Sequence, residues 1–113
     1  GKPVWCFAGD GGAMMTIGEL ETIARTNRNI VVVVINNKIY GTIKAYQQKF
    51  FPGREIGTDL GTVDFRKIAQ AMNWQAWQVN TESEMENVLR DVVATSGPRL
   101  IELNVEEEPL ALN

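Results

Sequence analysis

The sequence has 113 residues, of which 44% are hydrophobic and 22% are charged, and its formal net charge at pH 7 is −3. These values fit one small globular domain, and the scattered basic residues argue against a nucleic-acid-binding face. The absence of histidine excludes Ser-His and Cys-His nucleophiles and His-ligated metals, and a single cysteine excludes an internal disulfide. That cysteine, Cys6, lies in an apolar run and is expected to fill the core. We find no apolar run of the roughly 18–20 residues needed to cross a bilayer and no signal peptide, and we therefore expect a cytoplasmic protein.

The first element is a short apolar segment, residues 3–8 (PVWCFA), which is followed by a glycine-rich run, residues 9–12. This pattern predicts a buried strand that ends in a turn. Because the chain opens directly on this strand, we expect it to begin inside a domain. Thr16 and Glu19 then fit a capping box, which predicts a helix with Thr16 as its N-cap that ends at residues 27–29.

Residues 30–35 (IVVVVI) form the second apolar segment, and Asn36 and Asn37 close it. Six consecutive β-branched residues are typical of a strand covered on both faces, in the interior of a parallel sheet. Strand, helix and strand in this order make a βαβ unit, whose two strands end at the same edge of the sheet. The glycine-rich run and the asparagine pair are therefore expected to lie side by side, where α/β sheets form binding crevices.

The rest of the chain continues the alternation. Residues 41–62 are irregular, which is typical of a functional loop, and residues 42–50 could be helical. Asp64 is predicted to cap a helix, residues 75–79 to form a third strand, Thr81 to begin another helix in a capping-box pattern, and residues 99–105 to form the last strand. The predicted fold is α/β, an open parallel sheet flanked by helices and incomplete at its N-terminus.

The two strand ends carry a set of residues suited to an anion and a divalent cation. Gly11 and Gly12 allow backbone N–H groups to approach an anion closely. Asp10 offers a carboxylate oxygen and Asn37 an amide oxygen, and Mg²⁺ is usually held by a few such oxygens together with phosphates. With Mg²⁺ present, Asp10 can lie beside an anionic diphosphate.

These motifs are similar to those of a known family. Gly9-Asp10-Gly11, followed after 24 residues by Asn36-Asn37, resembles the signature of thiamine diphosphate (ThDP)-dependent enzymes. Residues 38–41 (KIYG), 51–54 (FPGR) and 57–60 (GTDL) look like the branch that contains acetolactate synthases and 2-oxoacid decarboxylases. The resemblance covers residues 1–113 as the C-terminal diphosphate-binding domain, a fragment of a longer enzyme.

The resemblance implies roles for individual residues. Mg²⁺ would be bound by the side chains of Asp10 and Asn37 and by the backbone carbonyl of Ile39. The cofactor-binding positions would be Gly9, Asp10, Gly11, Gly12, Asn37, Ile39, Tyr40 and Gly41. For Tyr40 a plain packing role is an equally open alternative. Lys44, Gln47, Gln48 and Arg54 lie where the family has substrate-facing loops, but a solvated loop is the expected role for each.

The resemblance also implies what the chain lacks. In this family a glutamate on a separate pyrimidine-binding domain of a second subunit activates the cofactor, which itself carries the chemistry. We therefore expect no catalytic residue in this chain, no activity of the fragment alone, and a homodimer or homotetramer at full length. The expected reaction is acetolactate synthase-like, with decarboxylation of a 2-oxoacid and carboligation. The alternatives are a simple decarboxylase of aryl or branched 2-oxoacids and a non-catalytic α/β domain that binds Mg²⁺ or phosphate or is structural.

Overall fold

The computed structural model describes residues 1–106. Strands and helices alternate along the chain: β1 (Val4–Gly9), α1 (Asp10–Met15), α2 (Glu19–Arg25), β2 (Ile30–Asn36), α3 (Gly41–Phe50), α4 (Phe65–Ala71), β3 (Gln75–Val79), α5 (Glu82–Ala94) and β4 (Arg99–Asn104). The strands form one parallel sheet in the order β1-β2-β4-β3. The predicted α/β class with a parallel sheet is confirmed. Within these residues, no helix is long and apolar enough to span a membrane.

Two apolar clusters lie on opposite faces of the sheet, because the aliphatic run in β2 alternates between them. One cluster brings α2 and α4 onto the sheet and contains Leu20, Val32, Val34, Phe65, Ala69, Trp74 and Leu100. The other brings α5 onto the opposite face and contains Val31, Val33, Val79, Val92 and Ile101. This arrangement confirms that β2 is an interior strand covered on both sides.

Strand β1 differs from its prediction in burial. It pairs with β2 from Val4↔Ile30 to Gly9↔Ile35, but Val4 and Phe7 are 61% and 67% exposed. Cys6 is exposed as well, so the expectation that it fills the core is wrong for this structure. The physical reason is position: within residues 1–106, β1 is an edge strand with one neighbour.

The start of the first helical region was also predicted incorrectly. Residues 10–15 form the short helix α1 instead of a turn, and Thr16 follows its C-terminal end. Helix α2 begins at Glu19 with Gly18 as its N-cap and without a side-chain capping bond. Thr16 is therefore not the N-cap of a helix, because the chain has already become helical directly after β1.

The two later helix starts lie where the sequence places them. The Asp64 carboxylate accepts a hydrogen bond from the backbone N–H of Lys67 at 2.9 Å, which confirms Asp64 as the cap of α4. Thr81 is the N-cap residue of α5, but its side chain makes no capping bond. Instead, Glu84 Oε2 accepts a hydrogen bond from the N–H of Asn80 at 2.8 Å, so only half of the predicted capping box forms, shifted by one residue.

Candidate functional site

The ends of β1 and β2 lie side by side, as the βαβ topology predicts. Gly9 pairs with Ile35 at the last step of the β1–β2 ladder. Asp10 begins α1 directly after β1 and is only 5% exposed. Asn37 follows the last residue of β2. The two motifs, which are separated by 24 residues in the sequence, thus meet at one edge of the sheet.

Asp10 joins the two strand ends through its carboxylate. Its Oδ1 accepts a hydrogen bond from the N–H of Gly11 at 3.0 Å, and its Oδ2 accepts one from the N–H of Lys38 at 2.7 Å. Lys38 has φ +61°, a left-handed conformation that is uncommon outside glycine and costs free energy unless contacts maintain it. The charge-assisted bond to Asp10 is such a contact, and the role of the Lys38 backbone was not anticipated from the sequence.

Two further oxygen-bearing groups, the Asn37 carboxamide and the Ile39 carbonyl, lie close to the Asp10 carboxylate. One polar atom of the Asn37 carboxamide lies 3.3 Å from Asp10 Oδ1 and 3.1 Å from the carbonyl oxygen of Ile39. If this atom is nitrogen, it donates to both oxygens; if it is oxygen, it faces the Asp10 and Ile39 oxygens at these two distances. Adjacent oxygens that bind one octahedral Mg²⁺ at about 2.0–2.1 Å are about 3 Å apart, so the spacing fits a shared cation.

This oxygen set differs from a cluster of acidic or sulfur ligands. Residues 1–106 hold no group of three or more His, Cys, Asp or Glu side chains that could bind a metal. The site instead combines one carboxylate, one amide and one backbone carbonyl. A hard cation that keeps several non-protein ligands suits such a set.

The aromatic ring of Tyr40 covers the start of α1. A Cβ atom built on Gly11 would lie 2.3 Å from Tyr40 Cε1 and 2.7 Å from Cδ1. Tyr40 and Asp10 also line a small cavity of about 120 Å³, together with Met14, Leu60, Gly61, Val63 and Phe65. The structure therefore places Tyr40 at the site and gives it a packing contact there.

The remaining glycines of the motif have different surroundings. A Cβ atom at Gly9 or Gly12 would meet nothing within 4 Å, so neither position is filled by a neighbouring side chain or backbone. Gly12 lies in the first turn of α1, where backbone N–H groups have no partner within the helix. At Gly41 an added Cβ would be in ordinary contact with Asn37 Nδ2 at 3.6 Å. Tight packing thus requires glycine only at Gly11.

The segment after α3 holds the residues that follow Asn37 in place. The carbonyl of Thr58 accepts from the N–H of Tyr40 at 2.8 Å, and the carbonyl of Lys38 accepts from the N–H of Leu60 at 2.7 Å. Ile39 forms an isolated antiparallel bridge with Asp59 between these two bonds. The irregular region predicted to be a functional loop therefore supports the backbone that carries the Ile39 carbonyl.

Lys44 and Gln47, two of the polar residues that lie where the family has substrate-facing loops, make contacts with the segment after α3. Lys44 Nζ lies 2.6 Å from Asp59 Oδ1 in a partly exposed ion pair. Gln47 exchanges two hydrogen bonds, each of 3.0 Å, with the backbone N–H and carbonyl of Ile56. These bonds connect α3 to the following loop.

The chain is similar to known proteins over nearly its whole length. Residues 1–103 match the family described as thiamine pyrophosphate enzyme, C-terminal TPP binding domain. The acetolactate synthase large subunit of Porphyra purpurea is 35% identical over 106 residues, which are 92% of this chain and 18% of that protein. A putative acetolactate synthase large subunit of Mycobacterium tuberculosis is 36% identical over 112 residues, covering 92% of this chain and 22% of that protein.

A solved structure shares the fold. The crystal structure of benzoylformate decarboxylase from Polynucleobacter necessarius superposes with a TM-score of 0.90 at 22% identity, covering 98% of this chain and 21% of that one. The chain spans about 18–22% of the length of these curated relatives.

Proposed function

We propose that this chain, which belongs to the thiamine pyrophosphate enzyme family as its C-terminal TPP-binding domain, holds the diphosphate of ThDP through Mg²⁺ in an acetolactate synthase-like enzyme. The observation that carries the proposal is that one polar atom of the Asn37 carboxamide lies 3.3 Å from Asp10 Oδ1 and 3.1 Å from the carbonyl oxygen of Ile39. Family membership supports the cofactor, and the chemistry of these oxygens supports the metal.

The residues of this chain would act by binding and orientation. Asp10, Asn37 and the Ile39 carbonyl would supply the protein ligands of Mg²⁺, and the remaining positions would be left to diphosphate oxygens and water. The Gly12 N–H, open at the first turn of α1, would donate to the diphosphate. The Gly11 N–H is directed to Asp10 Oδ1, so its proposed role is to orient that carboxylate. Gly9, Tyr40 and Gly41 would border the cofactor.

Bound ThDP supplies the electron sink that 2-oxoacid decarboxylation requires. We propose that the glutamate that activates it belongs to a pyrimidine-binding domain of a second subunit, in a cytoplasmic homodimer or homotetramer. The relatives named acetolactate synthase favour a carboligation that joins the decarboxylated 2-oxoacid to a second carbonyl compound. The decarboxylase alternative has the support of fold similarity alone.

The test is Asp10→Ala in the natural full-length protein. We expect loss of Mg²⁺-dependent ThDP retention, with the dissociation constant raised more than about 100-fold, because removal of a mere outer-sphere partner already costs about 10–100-fold. Equilibrium dialysis against ThDP, with and without MgCl₂, measures this directly. It also separates a ThDP-binding enzyme from a structural domain, which would retain no ThDP.

A matched control removes a carboxylate far from the site. Asp91→Ala changes an exposed residue of α5 and should leave ThDP binding unchanged. If Asp10→Ala bound ThDP with the affinity of the unmodified protein, the ligand assignment would be wrong. Product analysis with pyruvate and, separately, with an aryl or branched 2-oxoacid then decides the reaction: acetolactate from pyruvate supports the carboligase, and an aldehyde alone from the aryl or branched substrate supports the decarboxylase.

A further inference from the structure

A buried carboxylate lies in the sheet behind the candidate metal site. Glu102 interrupts the apolar sequence of the interior strand β4 and is only 1% exposed. Taking a carboxylate out of water is costly unless hydrogen bonds replace the lost hydration. The partners of Glu102 therefore indicate what its burial achieves.

Within residues 1–106, Glu102 accepts hydrogen bonds from three donors. Oε2 accepts from Asn36 Nδ2 at 2.7 Å, and Oε1 accepts from Gln78 Nε2 at 3.1 Å and from the backbone N–H of Arg66 at 3.2 Å. An ionised carboxylate has only acceptor atoms, so this set satisfies it. Glu102 thus joins the end of β2, strand β3 and the first turn of α4.

The bond to Asn36 connects Glu102 to the metal site. Asn36 directly precedes Asn37, is 3% exposed, and also donates from Nδ2 to the carbonyl of Val63 at 3.1 Å. Its own carbonyl accepts from the N–H of Val105 at 3.1 Å. The residue before the Asn37 ligand is therefore fixed by side-chain and backbone bonds together.

A second connection runs through the start of α4. By holding the Arg66 N–H, Glu102 fixes the point at which the preceding segment enters the helix. That segment carries Thr58 and Leu60, whose backbones bond to Tyr40 and Lys38 on either side of the Ile39 carbonyl. Glu102 therefore supports both chain segments that flank the oxygen set.

We propose that Glu102 is a positioning residue that sets the geometry of the Mg²⁺ ligands through Asn36. This inference rests on the proposed function, because it concerns the same Mg²⁺ site. In this role Glu102 would be a ligand of neither the metal nor the cofactor. Its effect is to hold the 36–39 backbone so that the Asn37 carboxamide and the Ile39 carbonyl face Asp10 before the cation binds.

The experiment compares Glu102→Gln with Gln78→Met in the natural full-length protein. Glu102→Gln keeps the shape of the side chain but places an NH₂ group against donors, whereas Gln78→Met removes one bond to the same carboxylate and leaves the Asn36 link intact. Bound ThDP is measured by equilibrium dialysis as MgCl₂ is varied, and again at saturating MgCl₂. We expect Glu102→Gln to raise the dissociation constant for Mg²⁺ about tenfold, at the low end of effects of outer-sphere partners. The affinity of Glu102→Gln for ThDP at saturating MgCl₂ should be unchanged. Gln78→Met should change neither the dissociation constant for Mg²⁺ nor the ThDP affinity at saturating MgCl₂.

A second variant breaks the same link from the other side. Asn36→Ala should weaken Mg²⁺ binding to a similar extent, and the double variant should be no weaker than either single one, because the two residues act as a unit. If Glu102→Gln does not fold, as judged by circular dichroism, Asn36→Ala decides the question alone.

The inference is wrong if Mg²⁺ affinity is unchanged in Glu102→Gln or Asn36→Ala. It is also wrong if Gln78→Met weakens Mg²⁺ binding as much as Glu102→Gln does, or if Glu102→Gln lowers the ThDP affinity at saturating MgCl₂. Either result would be explained by a non-specific destabilisation of the domain. Failure of the proposed function has a different signature: the unmodified protein would then retain no ThDP, or would retain it without Mg²⁺.

Discussion

Replacing Gly11 with alanine would place a methyl group against the ring of Tyr40. The new Cβ would lie 2.3 Å from Cε1, 2.7 Å from Cδ1 and 3.1 Å from Cζ. Carbon atoms in favourable contact are about 3.5–4.0 Å apart, so the ring must retreat by more than about 1 Å. The backbone of Tyr40 cannot move freely together with the ring, because the Tyr40 N–H donates a hydrogen bond to the Thr58 carbonyl at 2.8 Å.

The expected net loss of stability for Gly11→Ala is about 1–2 kcal/mol. Overpacking of this kind costs about 1–3 kcal/mol, and the better helix propensity of alanine offsets up to about 1 kcal/mol of that cost. Gly12→Ala is the matched control, since its Cβ would meet nothing within 4 Å and the variant should be neutral or slightly stabilised. Guanidinium unfolding can be followed by tryptophan fluorescence, to which the buried Trp74 contributes.

The Tyr40 ring is the assumed cause, and a double-mutant cycle tests it. In a Tyr40→Ala background the added methyl group has space, so Gly11→Ala should cost little there. Equal destabilisation by Gly11→Ala in both backgrounds would refute the reasoning. A cost for Gly11→Ala no larger than that for Gly12→Ala would refute it as well.

Two further predictions concern the caps of the helices and the activity of the 113 residues alone. Asp64→Ala should destabilise the protein by about 1 kcal/mol, because its carboxylate caps α4, whereas Thr81→Ala should cost less than about 0.5 kcal/mol, because that side chain makes no capping bond. Guanidinium unfolding of the two variants measures the loss in free energy of unfolding for each. Similar losses for Asp64→Ala and Thr81→Ala would contradict the assignment of the caps. The 113 residues alone should show no turnover of pyruvate in a CO₂-release assay, since the activating glutamate is expected on another domain. Turnover above the rate of free ThDP and Mg²⁺ would overturn that expectation.

The architecture of the chain was predictable because it follows from local patterns. The period of apolar residues separates strands from helices, and the aliphatic run in β2 requires cover on both faces. Parallel βαβ topology then places the residues after β1 and β2 at one edge. The proximity of Asp10 and Asn37 thus depends on patterning and chain direction alone.

The exposure of β1 and the start of α1 at Asp10 could not be predicted from local sequence patterns. An apolar strand is exposed or buried according to its neighbours in the sheet, and within residues 1–106 β1 has β2 on one side only. The glycine-rich run has weak helix propensity, so a turn was the reasonable prediction for residues 9–12. Contacts of α1 with β1 and β2 override that propensity.

At the candidate site, the sequence by itself determined which atoms are proposed as ligands: the carboxylate of Asp10 and the amide of Asn37 at the ends of successive strands. Tertiary structure decided how they are held, through the left-handed turn at Lys38, the ring of Tyr40 over Gly11, and the bond from Asn36 to Glu102. Asn36 and Glu102 are 66 positions apart, and no local pattern pairs a polar residue in one strand with a carboxylate so distant. Such a pair forms only when the sheet order places β4 beside β2, because register across a parallel sheet is set by the packing of the whole domain.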